Sequence, residues 1–576
     1  MTYGATPCRD GGVAFRVWAP TVDTLSVKLE NFPGREFPMT RAGEDFEVFI
    51  AEARAHDRYC LALDNTRERP DPVSRSQPHG VHGASEIIAP DAFIWSDREW
   101  KGIPLTDYIF YEVHTGTFTP EGTFEAIIPK LPYLKDLGIT AVELMPVAEF
   151  PGGRNWGYDG VDLYAPHSAY GGAHGLKKLV DACHRAGLAI VLDVVYNHVG
   201  PEGNYLAEFG PYFTTCYRTP WGEAMNYDGP ASDGVRRFII DNALYWLTEY
   251  HVDALRLDAI HGILDSSAHH ILAELRDRFH EQAAALGRQA WIVAESDLND
   301  VRMINPRSIG GYGLDAQWLD EYHHAVYSFV TGAKGGFLSG FGRLEHIQKA
   351  LTDGFVYDGI YSVFRGRHFG SSSKDQPGSR FVVFNQNHDQ IANTAHGHRL
   401  SDIVSPDQYK MVAALLVCSP YLPLFFMGEE FADTAPFLYF TSHGDPVLAH
   451  AVTEGRLREH ADFAGTGDFY DPQAPETFER SKVNWALLGD PVHAEILRFY
   501  RQLIALRKRL PALNNCRKDL TRVEVCEAAQ WLKLERGDPS AQEPSCCATS
   551  VRPSAACPSR IRSSPGERSY RLPAPD

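Results

Sequence analysis

The chain has 576 residues, 44% of them hydrophobic and 12% aromatic, which is typical of a globular protein with more than one domain. Its formal net charge of −19 disfavours nucleic acid and anionic membrane surfaces as partners, because those partners bind basic faces. No apolar run approaches the roughly 18 residues of a membrane span, which disfavours a membrane protein.

The ten cysteines lack the CxxC pairs that are typical of metal sites. The first residues, MTYGATPCRDGG, lack the basic and apolar regions of a secretory signal. These two features predict reduced thiols and a cytoplasmic location.

Residues 1–95 alternate short apolar segments with turn residues, and they predict a small antiparallel β-sandwich. The four candidate strands are VAFRVWAP, TLSVKLE, FEVFIA and YCLALD. The stretch from Arg67 to His82 is rich in Pro, Gly, Ser and His. We expect it to reach toward the next domain without forming a regular element.

Residues 96–450 predict an α/β fold, namely a TIM (β/α)8 barrel, because short runs of Val, Ile and Leu are separated by helical segments. The eight candidate strands are YIFYEVHTGTF, ITAVELMPV, AIVLDVVYNH, VDALRLDAI, AWIVAES, a weak one at LDAQWLD, RFVVFNQNHD and LPLFFMGEEF. Polar residues follow the apolar runs, as they do at the active-site end of such barrels.

Residues 451–538 predict a helical segment followed by the remnant of a C-terminal β domain. Residues 539–576 are rich in Pro, Ser and Arg and contain few large apolar side chains. Such a segment cannot bury enough surface to offset its ordering entropy, so we expect it to be disordered. The abrupt change in composition also fits a truncation or a shifted reading frame.

Three carboxylates follow separate candidate strands: Asp258, Glu295 and Asp389. Taken singly, each acid is more often a surface residue or part of a salt bridge at a barrel rim. Together at one rim they predict cleavage of a glycosidic bond, which requires one protonated and one ionised carboxyl group. Arg256 lies two residues before Asp258 and therefore on the same face, where its charge keeps that carboxylate ionised.

Other candidates are individually weaker. His198 and Asn197 close the DVVYNH patch that begins at Asp193, and His388 precedes Asp389. Trp156 and Tyr158 offer flat faces to sugar rings, although such aromatic residues are core residues at least as often. No glycine-rich loop matches a phosphate-binding motif and no histidine pair has the spacing of a metal site, so we expect neither a cofactor nor a catalytic metal.

At these patches the chain resembles the alpha-amylase superfamily, glycoside hydrolase family 13, over residues 1–510. The resemblance implies that Asp258 is the nucleophile, Glu295 the general acid and base, and Asp389 the transition-state stabiliser. It also implies an immunoglobulin-like sandwich of the carbohydrate-binding type at the N-terminus. The residues implied to bind the attacked sugar are Arg256, His198, His388 and Tyr158.

Longer segments, including NWGYDGVDLYAP, LDAIHGILDSSAHHIL and AESDLND, resemble the malto-oligosyltrehalose trehalohydrolase family. That resemblance implies release of trehalose from malto-oligosyltrehalose with retention of configuration, and functional pairing with a malto-oligosyltrehalose synthase. A retaining mechanism places the two catalytic carboxyls about 5 to 5.5 Å apart. His261, with Gly262 after it, departs from the amylase pattern of Lys then His on the leaving-group side.

Two other functions remain open. A 1,4-α-glucan branching enzyme has the same module, barrel and triad, and a non-catalytic α-glucan-binding protein could use the same scaffold. Trehalose release distinguishes the first alternative, and loss of turnover on replacement of Glu295 distinguishes the second.

Overall fold

The computed structural model describes residues 3–89, 92–394, 396–463, 469–539, 547–551, 560–561 and 570–571. None of the helices in these ranges has the length and apolarity that a bilayer crossing requires. The described residues form an N-terminal β-sandwich, a closed barrel and a small C-terminal sheet.

The N-terminal sandwich consists of two antiparallel sheets whose apolar side chains face each other, with Phe15 packed edge-on against Tyr59 at 5.0 Å between ring centres. One sheet contains Gly4–Pro7, Val13–Trp18, Asp45–Ile50 and Thr40–Ala42 in that spatial order. The other contains Glu36–Pro38, Leu25–Leu29, Arg58–Leu63 and Arg67–Arg69, with Ser85–Glu86 also paired to Arg58–Leu63.

Arg67–Arg69 corrects the expectation that the stretch from Arg67 to His82 forms no regular element. The strand forms because it pairs with the exposed edge of Arg58–Leu63. The same stretch does reach the barrel, since Arg67 and Arg69 each contact the carboxylate of Glu208 at 2.9 Å. Trp18 packs so closely against Gly234 that a Cβ there would lie 2.1 Å from the indole, so a larger residue would separate the domains.

The predicted (β/α)8 barrel is confirmed: eight parallel strands close in sequence order. The side chains on both faces of these short strands are buried, which is characteristic of parallel sheets. The strands, numbered β1 to β8, are Phe110–Val113, Ala141–Leu144, Ala189–Val194, Ala254–Leu257, Trp291–Ala294, Ala316–Trp318, Phe381–Phe384 and Leu422–Phe426.

Helices surround the barrel between most successive strands. Between β5 and β6 the described chain forms only 3-10 turns, Val301–Met303 and Arg307–Ile309, because Pro306 and three nearby glycines break a helix there. The helices are Thr115–Phe118, Phe124–Ile127, Leu131–Leu137, Gly172–Ala186, Leu206–Phe209, Ser232–Glu249, Ile271–Ala285, Asp320–Thr331, Leu344–Thr352, His388–Ala392, Leu400–Ile403 and Pro406–Cys418.

Three short hairpins extend the loops on the barrel. They are Ala148–Glu149 with Asp162–Pro166, Phe213–Thr219 with Gly222–Met225, and Tyr361–Ser362 with Arg367–His368.

After β8 the chain continues through the helices Pro446–Phe463, Pro475–Arg480, Pro491–Arg509 and Pro511–Asn514. The boundary expected at residue 450 falls inside the first of these helices. Pro491–Arg509 packs on the barrel, where Tyr500 donates a hydrogen bond to Glu429 at 3.1 Å and Arg507 donates to the carbonyl oxygen of Val417 at 2.7 Å.

The C-terminal sheet contains Thr521–Cys526, Trp531–Arg536 and Cys547–Val551. The segment expected to be disordered, 539–576, lies largely outside the described residues. Within it the structure describes Cys547–Val551 and the pair Arg560–Ile561 and Tyr570–Arg571.

A buried ion cluster attaches the segment between the sandwich and the barrel to the amino-terminal end of the barrel. The His184 ring lies between Asp97 at 2.8 Å and Asp253 at 2.9 Å, and the indole of Trp100 stacks on it. Burial opposes the charge of His184, but the charge of Asp253 and the hydrogen bonds to Asp253 and Asp97 together outweigh it and raise the pKa of His184. Burial likewise opposes ionisation of Asp97, but hydrogen bonds from His184 and His251 lower its pKa.

We predict that H184Q lowers the free energy of unfolding by about 3 to 5 kcal/mol, because it removes the cation that lies between two buried carboxylates. The raised pKa of His184 makes its contribution complete below its unfolded value, and the contribution is lost as pH rises through the folded value. The lowered pKa of Asp97 makes its contribution disappear as pH falls. Denaturant unfolding should therefore show the largest mutational difference between about pH 4 and pH 6.5.

The matched control is H174Q, which changes an exposed histidine of the same helix. We expect it to alter the free energy of unfolding by less than about 0.5 kcal/mol. Equal free energies of unfolding for H184Q and H174Q across this pH range would show that the buried ion cluster does not stabilise the fold.

Candidate active site

The carboxyl ends of β3, β4, β5 and β7 bring the predicted acids to one end of the barrel. Asp258 follows β4 directly, and its main-chain N–H donates to the carbonyl oxygen of Val194 at 3.0 Å. Asn197 donates through its amide to the Asp258 carbonyl oxygen at 2.8 Å and to its carboxylate at 3.0 Å. These contacts hold the Asp258 carboxylate in one orientation.

Arg256 joins the acids. Its fully buried guanidinium lies 2.7 Å from Asp193, 3.0 Å from Asp258 and 3.9 Å from Glu295. The same group lies over the ring of Trp318, with 4.2 Å from the guanidinium carbon to the ring centre. Acidic side chains so close together in a buried site repel one another when they are ionised, and this cation compensates their negative charge.

Glu295 follows β5, and its carboxylate accepts a hydrogen bond from the main-chain N–H of Ala259 at 2.6 Å. Burial raises the pKa of Glu295 well above its ordinary value, and the charge of Asp258 adds to the effect while Arg256 opposes it. The surroundings of Glu295 therefore favour its protonated form.

Asp389 follows β7 on the first turn of a short helix, and its side chain is about half exposed (48%). The preceding residue, His388, is buried, and its Nε2 lies 3.9 Å from the Asp389 carboxylate. The His388 ring also lies 2.8 Å from the hydroxyl of Tyr158, which donates to Asp193 at 2.7 Å. Sequence reasoning did not identify Glu112, on β1, which binds the other ring nitrogen of His388 and accepts its main-chain N–H.

An aromatic residue that the sequence analysis missed covers the opposite side of the site. Trp221, between the strands of the second hairpin, stacks on His198 with 5.4 Å between ring centres and 10° between planes. His261 lies 5.8 Å from the same indole. Burial lowers the pKa of His198, so its ring is neutral and able to bind hydroxyl groups.

Trp156 lies behind the site rather than in it. Its indole is 5% exposed, stacks on Phe437 and donates to the carbonyl oxygen of Leu438 at 2.9 Å. Its edge packs against His388, so the side chain supports the polar residues from behind. Of the two uses that the sequence left open for this tryptophan, core packing describes its contacts.

A cavity adjoins the acids. Its walls include Asp297, two residues after Glu295, and Asp320, at the start of the helix after β6. Burial raises the pKa of Asp320 to about 7, with the charge of Asp389 contributing. Arg365 donates to the Asp297 carboxylate at 2.9 Å. The remaining walls are largely aromatic: Phe337, Phe341, Tyr357, Phe364 and Phe369.

Among the described residues, no group of three or more His, Cys, Asp and Glu side chains has the arrangement of a metal site. The polar residues that converge here are hydrogen-bonding groups on aromatic walls. That combination suits a neutral, polyhydroxylated ligand.

Comparison with known proteins agrees with this geometry. The family model for the alpha amylase catalytic domain matches residues 87–218, and that for carbohydrate-binding module 48 (isoamylase N-terminal domain) matches residues 2–76. A crystal structure of a Salmonella typhimurium protein described as an alpha amylase superposes with a TM-score of 0.89 at 40% identity, covering 98% of this chain and 95% of that one.

Two curated relatives identify the family within this superfamily. A malto-oligosyltrehalose trehalohydrolase from Saccharolobus solfataricus is 48% identical over 88% of this chain and 87% of its own length. One from Arthrobacter ramosus is 46% identical over 91% of each. The chain therefore belongs to the malto-oligosyltrehalose trehalohydrolase family of the alpha-amylase superfamily.

Proposed function

We propose that the protein is a retaining glycoside hydrolase that cleaves the α-1,4 bond next to the terminal trehalose unit of malto-oligosyltrehalose, releasing trehalose. The observation that carries the proposal is the convergence of Asp258 and Glu295 on the guanidinium of Arg256, at 3.0 and 3.9 Å. The names of the relatives supply the substrate, because their identity extends over almost the whole chain.

In the first step, Glu295 donates its proton to the glycosidic oxygen as the bond to trehalose breaks. Asp258 attacks the anomeric carbon, so the malto-oligosaccharide becomes esterified to its carboxylate. In the second step, Glu295 takes a proton from water, which displaces Asp258 and restores the original configuration. The raised pKa of Glu295 supports this role, because an acid must hold its proton at the working pH.

Asp389 stabilises the oxocarbenium-like transition state, in which positive charge develops on the attacked sugar. The Asp389 side chain is about half exposed, which leaves its carboxylate accessible to a bound sugar and supports this role. The remaining residues position the sugar or the acids, either by contacting hydroxyl groups or by supporting the residues that do: Arg256, His198, His388, Tyr158, Trp156, His261 and Asn197.

The trehalose unit lies at the opening of the cavity whose walls include Asp297, Asp320 and Arg365. Two features support this placement. Asp320 affects the pKa of the proposed acid, Glu295, so the cavity is close to the bond that breaks. Charged groups beside aromatic side chains can bind the hydroxyls and the flat face of a glucose ring.

The remaining parts of the proposal concern the cell. A malto-oligosyltrehalose synthase would supply the substrate, and the two enzymes would act in the cytoplasm. The proposed chemistry uses side chains alone, without a metal or a cofactor.

The decisive experiment compares malto-oligosyltrehalose with a plain malto-oligosaccharide of equal length. We expect malto-oligosyltrehalose to yield trehalose and a shortened malto-oligosaccharide. Its kcat/KM should be at least about tenfold higher than that of the plain malto-oligosaccharide, because the plain substrate lacks the hydrogen bonds that the trehalose unit makes. Chromatography of the products measures both rates. Equal rates on the two substrates would contradict the proposal.

The alternatives give different results in the same assay. A branching enzyme would change the iodine staining of amylose without new free sugar. The variant E295Q should lose turnover by on the order of 10²-fold or more while it still binds substrate, because the amide cannot donate the proton. Full activity of E295Q would instead exclude Glu295 as the acid.

Arg365 tests the placement of trehalose. We predict that R365A lowers kcat/KM for malto-oligosyltrehalose by about 10-fold to 100-fold, the usual effect of losing hydrogen bonds to a charged group. Hydrolysis of the plain malto-oligosaccharide should change much less. The control R367A alters an exposed arginine of the same hairpin. If R365A and R367A give the same ratio of the two rates, Arg365 does not recognise trehalose.

A further inference from the structure

Two acidic side chains lie next to each other inside the barrel, one level below Asp193 and Arg256. Glu112 on β1 and Glu143 on β2 are register partners on parallel strands, and each is 1% exposed. Side chains of paired residues on parallel strands point to the same face, here the barrel interior. Two ionised carboxylates at these positions would repel strongly in so buried a place.

Glu112 is the partnered member. Its carboxylate binds the Nδ1 side of the His388 ring and accepts the main-chain N–H of the same residue at 3.1 Å. Burial opposes a charge on His388, but the carboxylates of Glu112 and Asp389 together outweigh it and raise the pKa of the ring. Glu112 and His388 therefore form a buried ion pair.

Glu143 has no such contact. Neither of its carboxyl oxygens has a hydrogen-bond partner among the described residues. Burial raises its pKa well above the ordinary value, Glu112 and Asp193 add to the effect, and Arg256 opposes it. Glu143 is therefore a neutral carboxylic acid that can both donate and accept a hydrogen bond.

Three other buried atoms, on Asp193 and Arg256, also lack a hydrogen-bond partner among the described residues. These atoms are Asp193 Oδ1 and Arg256 Nε and Nη2. Asp193 lies on β3, two residues beyond Val191, the register partner of Glu143, so the two acids face the same interior at successive levels. Asp193 and Arg256 both influence the pKa of Glu143, so unpartnered donor and acceptor groups lie near this acid in the barrel interior, and such groups in proteins bind ordered water.

We propose that Glu143 is a positioning residue whose neutral carboxyl group binds one buried water molecule and, through it, holds the Asp193–Arg256 ion pair beneath the nucleophile. This inference rests on the proposed catalytic role of Asp258, which Arg256 contacts. Glu143 acts only through that pair, and a change at Glu143 alters how precisely the guanidinium faces Asp258.

The neutral state is essential to this role. An ionised Glu143 would attract the guanidinium away from Asp258, because both carboxylates would compete for one cation. A neutral amide at the same position would keep the hydrogen bonds without adding charge, whereas an apolar side chain would remove the bonds and exclude the water.

The test uses E143Q and E143L in the full chain. We expect E143Q to keep kcat within about threefold of the wild type, and E143L to lower kcat by about 10-fold to 100-fold with KM little changed, as for residues that orient catalytic groups. The melting temperature of E143L should not fall, because leucine replaces a buried carboxyl group that has no hydrogen-bond partner among the described residues. The control E345L changes an exposed glutamate and should leave kcat unchanged.

Two outcomes would overturn the inference. If E143Q is as impaired as E143L, the negative charge of Glu143 is required. If E143L has the kcat of the wild type, neither Glu143 nor the water is needed to position the Asp193–Arg256 pair for catalysis.

A high-resolution crystal structure adds a readout that does not depend on any substrate. It should show one water within hydrogen-bond distance of Glu143, Asp193 and Arg256, retained in E143Q and lost in E143L. Direct contact of Glu143 with Arg256 and no water in the wild type would contradict the proposal. Because this readout needs no turnover, it stays valid even if malto-oligosyltrehalose proves not to be the substrate.

Discussion

The end of the barrel that contains the proposed active site depends on one buried cation. The guanidinium of Arg256 contacts three carboxylates, those of Asp193, Asp258 and Glu295, within 4 Å. Removing several charges from water costs several kcal/mol for each ion unless an opposite charge and hydrogen bonds compensate it. Arg256 supplies that charge with a planar group that can face several acids at once, which a lysine could not do.

The barrel places these residues, although they are far apart in the chain. Each strand contributes few residues, and closure brings the ends of β3, β4, β5 and β7 to one rim. Main-chain hydrogen bonds continue just beyond the strands, as from Asp258 to Val194 and from Glu295 to Leu257, so both acids start from a fixed backbone. The same register places Glu143 directly beside Glu112 and below Asp193 and Arg256.

Much of this arrangement could be predicted from local pattern. Eight apolar runs followed by polar residues indicated eight parallel strands, and all eight belong to the closed barrel. The spacing of two between Arg256 and Asp258 was sufficient to predict their contact, because side chains two apart share a face. These inferences depend only on residues that are close in sequence, or on the rule that parallel strands end at one edge.

The residues that were missed depend on contacts between distant segments. Trp221 lies in a hairpin whose position over His198 no local pattern encodes. In the sequence, Glu143 is a single polar residue in an apolar strand, and its position beside Glu112 depends on the pairing of two strands. Trp156 and Tyr158 are two residues apart, yet one packs behind the site and the other joins it, because Phe437 and Leu438 cover the first.

The central claim is that Asp258, held by Arg256, forms a covalent bond to the sugar. It can be tested by mass spectrometry of the protein after reaction with 5-fluoro-α-glucosyl fluoride, a reagent whose fluorine slows hydrolysis of the glycosyl-enzyme. The account predicts one glucosyl group on the peptide that contains Asp258. A glucosyl group attached to Glu295, Asp389 or any other residue would contradict it.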